Sequence, residues 1–156
     1  ARPFWNYGVL GTLFLVSGLS TAAALVAIAA RKHSEKVLFT KIDLALIAAE
    51  LALVALFVIN LATGTEQHLL ALDSIMSGTY TVVFWVLFVG VGLLVPLLLE
   101  VLEIRGFARR VAIIAPVLVL LGGYVLRQVM IDIGQESTWT RYDTQYNAEL
   151  FKRLDD

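Results

Sequence analysis

Tyr7 to Ala30 contains no charged residue, and neither does Thr81 to Leu99. An α-helix rises about 1.5 Å per residue, so about 20 apolar residues cross the roughly 30 Å of hydrocarbon in a bilayer. Two further segments meet that requirement with isolated polar interruptions. Ile42 to Leu61 holds Asp43, Glu50 and Asn60, and Val111 to Ile133 holds Arg127, Gln128 and Asp132. Backbone N–H and C=O groups in lipid must be satisfied internally, which leaves helices or closed barrels. A barrel needs alternation of period two, and LALVALFVI (Leu51 to Ile59) has none. The expected fold is an all-α integral membrane protein, a four-helix bundle with spans at about 7–30, 42–61, 81–99 and 111–133. A polar extramembrane tail, 134–156, follows it.

Composition agrees. Of 156 residues, 59% are hydrophobic and 16% charged, whereas soluble domains run nearer half and a quarter. A net charge of −1 offers no basic stripe for phosphates, so nucleic acid is not an expected partner; the lipid bilayer is. The chain has no cysteine, which removes disulfides, cysteine-ligated clusters and thiolate metal sites together. The uncharged run from Tyr7 is longer than the 7–15 residues, roughly, of a signal-peptide core. With Ala1 at its start, the chain is expected to be the middle of a longer protein or a processed end.

Arg31 to Lys41 and Glu100 to Arg110 connect spans on one side; Ala62 to Tyr80 and the tail lie on the other. The first pair carries Arg31, Lys32, Lys36, Lys41, Arg105, Arg109 and Arg110, whereas 62–80 has no Lys or Arg. The positive-inside rule places the basic loops 31–41 and 100–110 in the cytoplasm, and Arg2, His68 and the tail outside. Asp43, Glu100 and Arg109 then share the cytoplasmic level. Trp5, Asn6, Asn60, Tyr80 and Arg127 lie towards the outer one, where Trp5, Tyr7, Tyr80 and Trp85 suit an aromatic belt. Gly8, Gly11, Ser17, Gly18, Thr21 and Ala22 on the first span are expected to serve close helix packing. Pro96 and Pro116 are expected to bend the third and fourth.

Ionisable groups inside a span cost about 2.5–3.5 kcal/mol each on insertion scales, so each asks for a reason. Asp43 and Glu50 fall within about 20° of each other on a helix, two turns apart. Asn60 lies further along, rotated by about 80° more. One reading of this column is a proton route; the other is a polar stitch to a neighbouring helix, with Asp43 at the interface beside Lys41. Arg127 keeps its charge, so it needs a carboxylate, carbonyls, water or a polar ligand. Alternatively it snorkels outward, since Asp132 and Gln135 mark the end of the span. His33 and His68 fall in loops on opposite sides, so no in-span histidine pair can hold a haem. No hydrolase motif or phosphate loop is present, so no catalytic or metal-ligating residue is assigned.

Four stretches taken together resemble a known family: ARPFWNYGVLGTLFLVSGLSTAAAL at the start, KIDLALIAAE (Lys41 to Glu50), TVVFWVLFVGVGLLVPLLL (Thr81 to Leu99) and LGGYVLRQVMIDIGQ (Leu121 to Gln135). In order and spacing they resemble the NrfD-type membrane subunits, the family of the polysulfide reductase membrane anchor. The resemblance implies the second bundle of an eight-helix fold, with an N-terminal half-bundle as its neighbour. It implies a multi-pass subunit of a prokaryotic cytoplasmic membrane that exchanges electrons between menaquinone or another quinone and an iron–sulfur partner subunit, with no haem or cluster of its own. Arg2, Asp43, Glu50, Arg127 and Gln135 match family motifs. The resemblance implies a proton pathway at Asp43 and Glu50, and a quinone pocket or partner surface near Arg127 and Gln135, with Asn60 a further candidate. In the tail, Tyr142, Tyr146, Leu150 and Phe151 are candidates for contact with a partner, aromatic residues being favoured at interfaces. Two other classes stay open: a proton- or ion-translocating bundle without quinone chemistry, and an inert anchor.

Overall fold

The computed structural model describes residues 8–64, 66–105 and 113–136. Arg2, Trp5, Asn6, Tyr7, Arg109, Arg110, Tyr142, Tyr146, Leu150 and Phe151 lie outside them. The described chain is helical: α1 (Gly8–Ala29), α2 (His33–Ala62), α3 (Glu66–Met76), a π-helix π1 (Val83–Leu94) continued by α4 (Val95–Ile104), and α5 (Ile114–Glu136). Four helices have the length and hydropathy to cross a membrane: α1, α2, π1 with α4, and α5. Their outward faces are apolar as well, as at Leu15, Leu56, Leu98 and Leu121. An aqueous surface does not tolerate so continuous an apolar face, and lipid does.

The helices extend beyond the apolar runs. Arg31 to Lys41 is not a loop: α2 begins at His33 and continues for 30 residues, because no Gly or Pro interrupts it before Ile42. Of its early lysines, Lys41 is exposed and Lys36 is half-buried. Glu100 likewise belongs to α4 and not to a connection. The segment 62–80, expected only as a connection, contains α3, whose Leu72 and Ile75 turn towards the core.

Around the bundle, α1 packs along α2 and against α5, π1 lies on α5, and α4 closes the ring against α2 and α5. The bundle has a basic end, with Arg31, Lys32, Lys36 and Arg105, and an opposite end at 62–80. Two adjacent glycines decide how closely α5 is approached. A Cβ at Gly122 would stand 2.5 Å from Gly92 Cα, and one at Gly92 would stand 2.6 Å from Gly122 Cα, so π1 and α5 meet backbone to backbone. By contrast, nothing lies within 4 Å of a Cβ built at Gly8 or Gly11, so the close packing expected there is made elsewhere.

Pro96 has no N–H, and its ring crowds the carbonyl one turn back. The chain meets this by widening: the Val95 N–H donates to Gly90 O, five residues earlier. Wide turns rotate less per residue than α-turns. They keep Phe84, Phe88, Gly92, Pro96 and Glu100 on one buried face. Pro116 sits in the first turn of α5, where its missing donor costs nothing and no bend is required.

Candidate functional site

Among the described residues, the buried polar and charged ones are Ser17, Ser20, Thr40, Asp43, Glu50 and Glu100. All lie between the middle of the bundle and its basic end. Towards the opposite end the buried side chains are apolar: Leu10, Leu13, Val54, Phe57, Leu61, Phe84, Phe88 and Met130. Along α2 the change occurs on a single face, where Thr40, Asp43 and Glu50 give way to Val54, Phe57 and Leu61. The described bundle therefore keeps its buried polar groups in one half, with apolar side chains filling the other.

Asp43 turns into the bundle, whereas Lys41, two residues earlier, is exposed. Asp43 is 0% exposed, and its Oδ1 accepts a hydrogen bond from the Ser20 hydroxyl of α1 at 2.5 Å. Across the bundle, the Glu100 carboxyl of α4 stands within hydrogen-bonding reach of Asp43. Nearer the basic end, Lys36 and Glu103 form an ion pair at 3.7 Å, joining α2 to α4 one turn beyond Glu100.

Glu50 is buried at the middle level, facing Ser17 of α1, Asp43 of its own helix and Arg127 of α5. Neither Ser17 Oγ nor Glu50 Oε1 has a hydrogen-bond partner. An unpaired charge at such a site would be strongly disfavoured, and Arg127 is the cation whose field reaches it.

Arg127 does not snorkel outward. Its Nη1 donates to Gly123 O, one turn back along α5, at 2.6 Å, so the guanidinium points into the bundle. Gly123 makes this possible: a Cβ there would stand 3.0 Å from Nη1 and 2.5 Å from Thr21 Cγ2. Nη2 points towards α1, 3.6 Å from where a Cβ on Gly18 would be. The guanidinium thus lies between α5 and α1, with Glu50 of α2 within its electrostatic reach. Asp132 is engaged elsewhere, by the Gln128 amide at 3.2 and 3.3 Å on the exposed side of α5.

The three residues considered for a quinone differ in their surroundings. Asn60 is half-buried beside Leu61 and off the acidic face of α2. Gln135 is exposed, and it lies about 12 Å along α5 from Arg127 by helical rise. Among the described residues, no group of three or more His, Asp or Glu gathers as a metal site.

Sequence reasoning placed Glu100 at the level of Asp43 but outside a helix, and it treated Ser17 as a packing residue. The missed signal is the spacing of four from Phe84 through Phe88, Gly92 and Pro96 to Glu100, which an α-helix does not keep on one face.

Residues 1–137 match the family described as polysulphide reductase, NrfD. The chain is 31% identical over 142 residues to the protein NrfD homolog of Haemophilus influenzae. It is 33% identical over 141 residues to protein NrfD of Escherichia coli. In each case 85% of this chain aligns with 44% of the relative, so the chain spans less than half the length of the curated relatives it matches. No solved structure matches it significantly.

Proposed function

The chain belongs to the polysulphide reductase NrfD family, and on that footing we propose that it serves a respiratory oxidoreductase as a membrane subunit exchanging electrons between the quinone pool and an iron–sulfur partner. Its own contribution, in this reading, is proton uptake from the basic end, which is the cytoplasmic side by the positive-inside rule. The observation that carries the reading is the one-sided interior. Acidic and hydroxyl groups lead from Asp43 and Glu100 to Glu50, where Arg127 and an apolar layer end the series. A fixed cation at the end of a polar file is an electrostatic barrier to a further proton. Protons are thus delivered to the middle of the membrane without leaking across it, as quinone reduction requires.

No step at the quinone is assigned to Asn60, Gln135 and Arg127 as a group. A bundle conducting protons right through is disfavoured for the same reason that uptake is favoured: the described interior is polar on one half alone.

The test is quinol turnover by the full-length subunit in its native membrane assembly. Glu50→Gln and Arg127→Ala are expected to assemble normally and to lose turnover. Full turnover in both variants overturns the proposal.

A further inference from the structure

Asp43 and Glu100 come from helices that face each other across the basic half of the bundle, at 0% and 1% exposure. Asp43 Oδ1 already takes the Ser20 hydroxyl. Asp43 Oδ2 and Glu100 Oε2 receive no donor from any described residue, although the two carboxyl groups stand within hydrogen-bonding reach of each other. Ionised carboxylates are acceptors only. Two of them facing at this range, away from water, repel strongly unless something lies between.

Among the described residues, no cation compensates the pair. α1 contributes Ser20 and carries no charged residue. α2 contributes Glu50 further in, α4 contributes Glu103 beside Glu100, and π1 has no charge to offer. Of the two lysines of α2 towards the basic end, Lys36 is engaged by Glu103 and Lys41 is exposed. Arg127 of α5 faces Glu50.

We propose that Asp43 and Glu100 hold one proton between them, forming a proton-sharing carboxyl pair whose geometry Ser20 sets by occupying the other oxygen of Asp43. At rest the pair carries one proton and one negative charge. A proton arriving from the basic end makes the pair neutral, and passing one towards Glu50 restores the resting charge. Ser20 and Ser17 lie beside the two ends of that interval, which spans about 10 Å of helix rise. The pair's place on a route rests on the uptake reading above; the pairing itself does not.

Infrared difference spectroscopy on the full-length subunit in its assembly tests this. At neutral pH the protein is expected to show a protonated-carboxyl C=O band that shifts in D2O. The same band is lost in Asp43→Asn and in Glu100→Gln, because one proton serves both groups and the introduced amide donates in its place. Glu35→Gln, at the exposed start of α2, leaves the band unchanged. Should the Asp43 and Glu100 variants fail to assemble, Ser20→Ala is expected to move the band of the intact pair. The proposal is overturned by absence of the band in the native protein, by its survival in both amide variants, or by its appearance only when sodium is withdrawn. A band behaving as expected, with full quinol turnover in both amide variants, keeps the pair and overturns the uptake route. Absence of the band alongside loss of turnover in Glu50→Gln overturns the pair alone.

Discussion

Phe84 and Glu100 share one buried face of the third span, at 0% and 1% exposure. A regular α-helix would separate them by about 160° and turn Glu100 towards lipid. The wide turns of π1, ahead of Pro96, remove most of that rotation. A carboxyl at this depth is strongly disfavoured in hydrocarbon; aimed inward, it meets Asp43.

Pro96→Ala is expected to restore a donor to Gly92 O and relieve the need for wide turns. Because the chain has no cysteine, Glu100→Cys provides a clean reporter of orientation. It is expected to resist a membrane-permeant thiol reagent when Pro96 is present and to react in the Pro96→Ala background. Equal protection in both would detach the helix geometry from the proline.

Gly92→Ala and Gly122→Ala place a methyl group against a backbone that cannot give way. Each is expected to cost about 1–3 kcal/mol, the usual range for overpacking. Gly8→Ala and Gly11→Ala meet open space and are expected to gain up to about 1 kcal/mol through helix propensity. Reversible unfolding in detergent measures both pairs, and a loss of stability in all four would contradict the packing.

Ser20→Ala removes the hydroxyl that Asp43 accepts and leaves a buried acceptor short of a donor, at a cost of about 1–3 kcal/mol. Ser17 Oγ faces Glu50 without closing a hydrogen bond, so Ser17→Ala is expected to cost less than Ser20→Ala in the same unfolding measurement. A larger effect at Ser17 than at Ser20 would reverse the assignment.

Glu50 and Arg127 face each other across α2 and α5, so their substitutions should not add. Glu50→Gln with Arg127→Leu is expected to be less destabilising than the sum of the singles, by about 0.5–3 kcal/mol. Additivity in a double-mutant cycle would show that the two do not interact.

Gln128 and Asp132 pair on the exposed side of α5. Gln128→Ala is expected to change stability by no more than about 0.5 kcal/mol and to leave quinol turnover intact. A marked loss of turnover would place function on that outer face.

Much of the fold was legible in the residues. The four spans follow from uncharged length, and Asp43, Glu50 and Arg127 announce themselves because each is costly in lipid. Span ends were less legible, since charge marks the edge of hydrocarbon and not the end of a helix: α2 begins at His33 and α4 reaches Ile104. Glu100 and the two serines were missed for that reason, and because a hydroxyl in a span looks like packing until its partner is known.

The chemistry of the chain by itself thus determined that it crosses a membrane four times as helices and carries charge where charge is expensive. Local length and polarity suffice for that, because the bilayer imposes the same requirement on every span. The tertiary structure alone decided what those charges face. Arg127 turns inward because Gly123 leaves room for it, Glu100 meets Asp43 because wide turns precede Pro96, and both outcomes depend on helices distant in sequence lying side by side.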